Sequence, residues 1–526
     1  MRRLLVISLV VAGCSSRKAE DPPSTPPVVR GPPKGPISTV TAADYIGPAA
    51  CGECHPDEHA RWSQSLHLVM NQRAETPSAI VGDFAHAVVS YAGGEARFDR
   101  DRSGYTMSLA RAGTSVRYHV TRTIGRRGLQ EYVGTQEPGG VEVRLPFAWW
   151  PRRGGWYPQP YFDPWFAAET DFDAYAPVTE PWAERCPWCH STYPFEQRIA
   201  RGTRRAVGHG LEQYFTAPGG SDRLAVERQV STGISCESCH LGGKAHQAGA
   251  PIHFIPLGAE ARPGAPVAST FAAERTTPAI VNAVCAQCHS GPSPRLADGT
   301  ALRNSSEALD LAASPCTTAR CVDCHDPHRG GGDEARAIAA CTSCHDRFAQ
   351  PAAAQTHSGH LNMTCLDCHM PRVVMGIDRM VRTHRIGSPG DLAMMAVAAP
   401  NACNLCHLDR SIAWTVDELR RGYEIALDSR HWTAYGGLDR PVGEVWMASK
   451  EPAVRLLAGA AYARSPLAKF ALPMLTQALA DPLPHLRVWG LFAIEDVIGR
   501  KVAPAEYDPR APADVRTRQL RALKLR

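Results

Sequence analysis

The apolar positions of this 526-residue chain change period several times. Near the start, Leu4 to Ala12 is a nine-residue apolar run interrupted only by Ser8, too short to span a bilayer. From about Val88 to Val133 the pattern has period two. Tyr105, Met107 and Leu109 alternate with Thr106 and Ser108, and Val116, Tyr118 and Val120 alternate with Arg117, His119 and Thr121. Gly93-Gly94, Ser103-Gly104 and Ala112-Gly113 supply turns, so the stretch predicts an antiparallel β insertion with His119 on its solvated face. Cys186 to His407 shows little periodicity over more than two helical turns. After about residue 411 a helical period returns. SIAWTVDELRRGYEIAL predicts a linker helix, and EPAVRLLAGAAYAR, LAKFALPMLTQALA and PLPHLRVWGLFAIEDVIG predict three amphipathic helices, with Asp481-Pro482 as a start signal and Gly499 as a stop.

The unperiodic stretch is dense in one pentapeptide, Cys-x-x-Cys-His. Three copies lie within fifty residues, at Cys321/Cys324/His325, Cys341/Cys344/His345 and Cys365/Cys368/His369. Five more occur at Cys51/Cys54/His55, Cys186/Cys189/His190, Cys236/Cys239/His240, Cys285/Cys288/His289 and Cys403/Cys406/His407, so eight copies use sixteen of the eighteen cysteines. This is the attachment pattern of c-type haem. Two thiols about one helical turn apart reach the two vinyl groups of one porphyrin, and the following histidine lies beneath the iron as its first axial ligand. Disulfide scaffolds require no histidine after every second cysteine, and zinc ribbons pair Cys-x-x-Cys units without one. Eight covalently bound haems are therefore expected, in a body whose hydrophobic core is largely the porphyrins themselves. The expected fold is a mainly α and irregular multihaem cytochrome c with a β-rich insertion, residues 45–410, followed by a small α-helical domain, 411–526. An aromatic run, Trp149, Trp150, Trp156, Tyr157, Tyr161 and Trp165, either packs on porphyrin edges or fills a small core.

A second axial ligand for each iron must come from elsewhere. Of twenty-one histidines, eight follow a motif, leaving thirteen for at most eight further positions. Supply exceeds demand, so composition neither forces two histidines per iron nor excludes an open one. His246, His328, His360 and His384 are the preferred second ligands. His328 follows His325 by three residues, with Pro327 holding the chain extended, so it points away from its own haem towards another. His357 lies in the same dense stretch. His67 follows the first motif on a short predicted helix with His59 and Trp62, and is a further ligand candidate. His59, four residues beyond His55, shares a helix face with it and cannot easily reach the opposite side of the same haem. Met70 reads as a core residue or as a ligand that would raise the potential. Cys316, outside every motif, reads as a buried inert thiol or as an extra iron ligand.

The first residues, MRRLLVISLVVAGC, form a basic segment, an apolar run and small residues, as in an export signal over 1–13. Val11-Ala12-Gly13-Cys14 resembles a bacterial lipobox with Cys14 lipidated, and the serine after it resembles outer-membrane sorting. Several acyl chains on one residue would anchor firmly. Residues 14–44 are then a tether, with seven prolines between 15 and 44. The formal charge is +5; losing Arg2 and Arg3 leaves +3, and ferric haems of about −1 each make the loaded protein mildly acidic. Basic residues are scattered, which gives no support for nucleic-acid binding.

Several segments resemble bacterial multihaem (octahaem) cytochromes c often fused to tetratricopeptide or HEAT repeats. These are YIGPAACGECH with the following Trp62-x-x-Ser65-x-His67, VGDFAHA, STGISCESCH with His246, CVDCHDPH, CLDCHMPR, RTHRI around His384, and PNACNLCHLDRSIAW. The resemblance covers roughly 45 to 415. It implies a periplasm-facing electron carrier between other redox proteins, with His67, His246, His328, His360 and His384 at the family's recurring non-motif histidines. Leu467 to Gly499 resembles about one and a half HEAT units, too few for a long array, and reads as a cap or as a partner surface. The alternative is a reductase of a nitrogen or sulfur oxyanion at one five-coordinate haem. No Cys-x-x-Cys-Lys occurs, which argues against the ammonia-forming nitrite reductases that commonly carry it.

Overall fold

In a computed structural model of the chain, the structure describes residues 42–162, 172–178, 181–194, 228–250, 252, 278–291 and 293–525. The export signal, Cys14, nearly all of the tether and Trp165 lie outside the described residues, as do His209 and His253.

Alternating side chains from Asn71 to Arg144 build one seven-stranded antiparallel sheet. Its strands are β1 (Asn71–Arg73), β2 (Ala85–Tyr91), β3 (Gly94–Asp101), β4 (Gly104–Arg111), β5 (Thr114–Ile124), β6 (Glu131–Gln136) and β7 (Glu142–Arg144). They run as a meander β2-β3-β4-β5-β6-β7, and β1 pairs β5. The sheet is thus wider than the expected 88–133. The outer strands were hidden because β1 and β7 are only three residues each, below the length at which alternation is readable. Two of the turns are tight two-residue hairpins with both central residues at positive φ, Ala92-Gly93 and Ala112-Gly113. That geometry matches strand twist and fixes the register.

The alternation gives the sheet two buried faces. One carries Phe98, Met107, Leu109, Tyr118, Val120, Tyr132 and Val143 into the main core. A second hairpin, β8 (Phe147–Trp150) with β9 (Gly155–Pro158), covers it. The aromatic run is core: Trp156 stacks on Phe98 at 3.7 Å and 4°, Phe84 meets Trp156 edge-on at 5.0 Å, and Trp150 meets Phe492 edge-on at 4.9 Å. The opposite face carries Ile124 and Val133, which pack with Trp182, Met70 and Cys186. Asn71 donates to the Ser191 hydroxyl across that same face at 2.9 Å. The sheet thereby seats the second Cys-x-x-Cys-His motif.

The C-terminal helices are Pro452–Arg464, Leu472–Ala478 and Pro484–Ile498, with Ala513–Ala522 last. Pro484–Ile498 differs from the amphipathic expectation, because every residue from Pro484 to Glu495 is buried. It lies between its two neighbouring helices and the β8-β9 hairpin, and a helix covered on all sides needs no polar face. Contacts to the sheet side are specific. Arg153 pairs with Glu495, Tyr161 donates to the Pro509 carbonyl at 2.8 Å, and Arg510 donates to the Trp156 carbonyl at 2.6 Å. One hydrophobic core runs through the sheet and these helices. The tail caps the β region rather than standing apart from it. No helix among the described residues is long and apolar enough to cross a membrane.

Candidate haem centres

The eight motifs are numbered sites 1 to 8 in chain order, with motif histidines His55, His190, His240, His289, His325, His345, His369 and His407. Each motif sits on one helical turn. The amide of the histidine donates to the carbonyl of the first cysteine at 2.9 Å in sites 1, 3, 5, 6 and 8. That turn aims two thiols and an imidazole at one volume. Asp367 caps the turn of site 7, accepting from the Thr364 amide at 2.8 Å, and Arg382 ties Asp367 to Glu334, each at 2.9 Å.

The polypeptide covers the motif cysteines to different extents. Cys54 of site 1 and Cys344 of site 6 are exposed, and so is Cys406 of site 8, whereas the remaining motif cysteines are half-buried. The reason lies in their helices. Cys54 is the last residue of Pro48–Cys54 and Cys344 the last of Glu334–Cys344, and neither helix buries a single residue against the rest of the chain. Polypeptide therefore covers sites 1 and 6 least on the side of the second cysteine. A thioether requires reach rather than burial, so Cys54 and Cys344 remain the proposed second attachment residues of these two sites.

Opposite the motif histidines stand other histidines. His55 faces His246 with ring centroids 6.1 Å apart and planes at 14°. His240 faces His328 at 6.3 Å and 13°, His325 faces His384 at 6.0 Å and 21°, and His369 faces His357 at 6.3 Å and 4°. His407 faces His360 at 6.1 Å and 46°. Two imidazoles that each bind one metal through a ring nitrogen at about 2.0–2.1 Å have centroids on the order of 6 Å apart. Direct stacking contact would bring parallel rings closer. These pairs therefore have the separation of axial ligands on a shared iron.

The other ring nitrogens support this fit. Nδ1 lies against the Gly387 carbonyl in His369 at 2.7 Å, against the Ala250 carbonyl in His246 at 2.8 Å, and against the Ser358 carbonyl in His360 at 2.5 Å. A carbonyl only accepts, so Nδ1 holds the proton and Nε2 is left as the ligand atom. Burial, and then His328, His246 and His55, pull His240 down to about 4. A neutral imidazole is the form that binds a metal.

Four of the five partner histidines pass over the motifs nearest to them in sequence; the exception is His357, which faces site 7, the next motif along the chain. His246, after site 3, faces site 1; His328, after site 5, faces site 3; His384, after site 7, faces site 5. His357 and His360 diverge because the helix Pro351–Ser358 ends at Gly359, whose φ of 67° turns the chain, so one faces site 7 and the other site 8. His357 lies outside the preferred ligand set of the sequence reading. The signal available was its place one residue before the helix end and three before His360. His67 is half-buried near His289 of site 4 and is hydrogen-bonded to the backbone of Pro327. Among the described residues no facing imidazole pair forms at sites 2, 4 or 6. His190 instead meets Trp182 edge-on at 6.1 Å. His59 packs on Trp62 at 5.2 Å and beside Gly52 of site 1, and Met70 packs in the small cluster with Trp182.

Sulfur contacts order the sites. The thiols of Cys51 and Cys236 lie within hydrogen-bonding reach, which joins sites 1 and 3. The buried Glu237 holds that junction by accepting from the amides of Ile46 at 3.0 Å, Gly47 at 2.8 Å and Gly243 at 2.9 Å. Cys285 touches Cys321 in the same way and feels Cys239, which joins site 4 to sites 5 and 3. Cys189 and Cys288 exchange contacts across sites 2 and 4, with Sγ of Cys189 3.9 Å from the Cys288 carbonyl and Trp188 donating to the Gln287 carbonyl at 2.8 Å. Burial, then Cys365, Cys324 and Cys316, push Cys341 up to about 11, so site 6 lies between sites 5 and 7, with Cys316 beside it. Burial and then Cys368 push Cys403 up to about 12, joining sites 7 and 8. Attachment converts motif thiols to thioethers, so the lasting content of these contacts is proximity. The order is 1-3-4-5-6-7-8, with site 2 branching from site 4.

Site 4 supports its motif histidine differently. Nδ1 of His289 lies 3.0 Å from Oε2 of Glu307. Burial pulls His289 down, but the Glu307 hydrogen bond and charge outweigh it and carry the group up to about 9. Burial pushes the Glu307 carboxyl up, and His289 more than offsets this, holding it at about 2.

No family model matches the chain, and no curated protein does. Two solved structures are similar to it. One is the outer cell wall cytochrome OcwA, with a TM-score of 0.38 and 15% identity over 91% of this chain and 99% of that one. The other is the Wolinella succinogenes octaheme sulfite reductase MccA, form II, with a TM-score of 0.29 and 17% identity over 65% of this chain and 56% of that one.

Proposed function

We propose that the chain is an octahaem c-type cytochrome that carries electrons between other redox proteins of the bacterial cell envelope. The observation that carries this reading is the set of five imidazole pairs, each at a separation of 6.0 to 6.3 Å. Two histidines on one iron saturate it and leave no position for substrate, and this ligation lowers the potential relative to His/Met. Haem supplies a one-electron ferric/ferrous couple. The residues of the chain do the rest: they attach the ring through two sulfurs, clamp the iron from both sides, fix the imidazole tautomers and bring neighbouring sites together. The sulfur contacts favour a continuous path from site 1 to site 8.

Counting high-spin irons tests the reading. The air-oxidised protein is expected to give low-spin spectra for at least the five paired sites. The rival reading, a reductase of a nitrogen or sulfur oxyanion, draws on sites 2, 4 and 6, where no facing imidazole pair forms among the described residues. A substantial high-spin fraction that binds nitrite, cyanide or carbon monoxide would overturn the carrier in favour of that enzyme.

The proposed location is the outer membrane, facing the periplasm, with lipid on Cys14 and residues 15–44 as a tether. Cys14→Ala is expected to move the haem-loaded protein from the membrane pellet to the soluble fraction. Unchanged retention in the pellet would remove the lipid anchor from the account.

A further inference from the structure

Site 4 occupies a special place in the order of sites, because sites 2, 3 and 5 all meet it through sulfur or backbone contacts. It also differs from sites 5 and 7 in the partner of its motif histidine. The motif histidines of sites 5 and 7 place Nδ1 against backbone carbonyls, Gly331 at 3.3 Å and Gly387 at 2.7 Å. His289 places Nδ1 against a carboxylate, and that carboxylate is held in position. The other oxygen of Glu307 accepts from the Ser305 amide at 2.8 Å. Ser305 has a φ of 73°, and Gly291 donates to its carbonyl at 2.6 Å, closing the loop back onto the segment that follows His289.

A neutral carbonyl orients an axial imidazole. A carboxylate also draws its Nδ1 proton and makes the ligand nitrogen a stronger donor. Stronger donation favours the ferric over the ferrous state, and hydrogen bonding of this kind to an axial ligand is one of the levers that set a haem potential. We propose that Glu307 makes the haem carried by His289 the lowest-potential member of the set, so that the branch point is the last site to be reduced. Electrons then distribute among sites 1 and 3, site 2, and sites 5 to 8 before the junction holds one. Glu307 is a positioning and tuning residue and touches no substrate. The inference rests on the electron-carrier reading.

The test is an optical redox titration of the loaded protein beside Glu307→Gln. Glutamine removes the charge and keeps one acceptor oxygen, so only one of the two hydrogen bonds, to Nδ1 or to the Ser305 amide, survives. The expected result is an upward shift of the lowest-potential component, worth one eighth of the amplitude for eight attachment motifs, while other components hold and the low-spin count is unchanged. A lowest component that stays in place, or a shift confined to a middle or high component, overturns the assignment. Glu307→Asp keeps the charge but withdraws it by one methylene. A smaller upward shift of the same component is expected, and this variant decides the matter if the glutamine protein loads haem incompletely. Failure of the carrier reading is seen separately, as ligand-binding high-spin iron in the unaltered protein.

Discussion

His328→Ala is expected to convert one iron, that of site 3, from low to high spin while the remaining sites keep their spectra. The imidazole of His328 is the ring that faces His240, 6.3 Å between centroids, although it follows the motif of site 5 by three residues. The change should be large for a single substitution, because removing an axial ligand alters both spin state and potential. Electron paramagnetic resonance gives the count, and exogenous imidazole should restore the low-spin signal. A spectrum that does not change would remove His328 from the ligand set. A high-spin signal accompanied by loss of haem would point to a structural role. The same logic applied to His357→Ala addresses site 7, whose partner ring is nearly parallel at 4°.

The second large effect concerns stability. Arg153 and Glu495 form an ion pair with side chains only 5% and 3% exposed, joining the β8-β9 hairpin to the helix Pro484–Ile498. Glu495 also accepts from the Val502 amide at 2.9 Å and lies 3.4 Å from Lys501. Deleting one partner of a buried pair leaves an uncompensated charge and costs about 3–5 kcal/mol, whereas replacing both by apolar groups is often close to neutral. Arg153→Ala should therefore lower the stability to urea, followed by far-UV circular dichroism, by about 3–5 kcal/mol. Arg153→Met with Glu495→Leu should recover most of the loss. Equal stability of single variant and parent would show that the pair does not hold the tail to the sheet.

Much of the chemistry was legible because haem attachment is local. Cysteines three apart and a histidine one further reach the ring from a single helical turn, whatever surrounds them, so eight motifs could be read without a fold. How far the polypeptide covers each motif was not legible: Cys54 and Cys344 share the spacing of the half-buried Cys189 and Cys239, yet end helices that hold no fully buried residue. The β region was legible in its centre, where Tyr105 to Leu109 and Val116 to Val120 alternate over enough residues. It was not legible at β1 and β7, nor in the rings of Trp150 and Trp156, whose choice between porphyrin and core depends on which partner arrives. The buried character of Pro484–Ile498 was hidden for the same reason. Its apolar residues are consistent with one covered face or several, and only the neighbours decide.

The sequence by itself determined that this chain carries eight Cys-x-x-Cys-His motifs, and that histidines outside them outnumber the motifs. Tertiary structure decided which histidine faces which site. His246 reaches back from site 3 to site 1, His328 from site 5 to site 3, and His384 from site 7 to site 5. His357, one residue from a helix end, becomes a partner only because Gly359 turns the chain after it. Axial pairing is a through-space relation between segments tens of residues apart, set by how helical turns pack around the cofactor volume. Spacing along the chain fixes the near side of each iron, and packing fixes the far side.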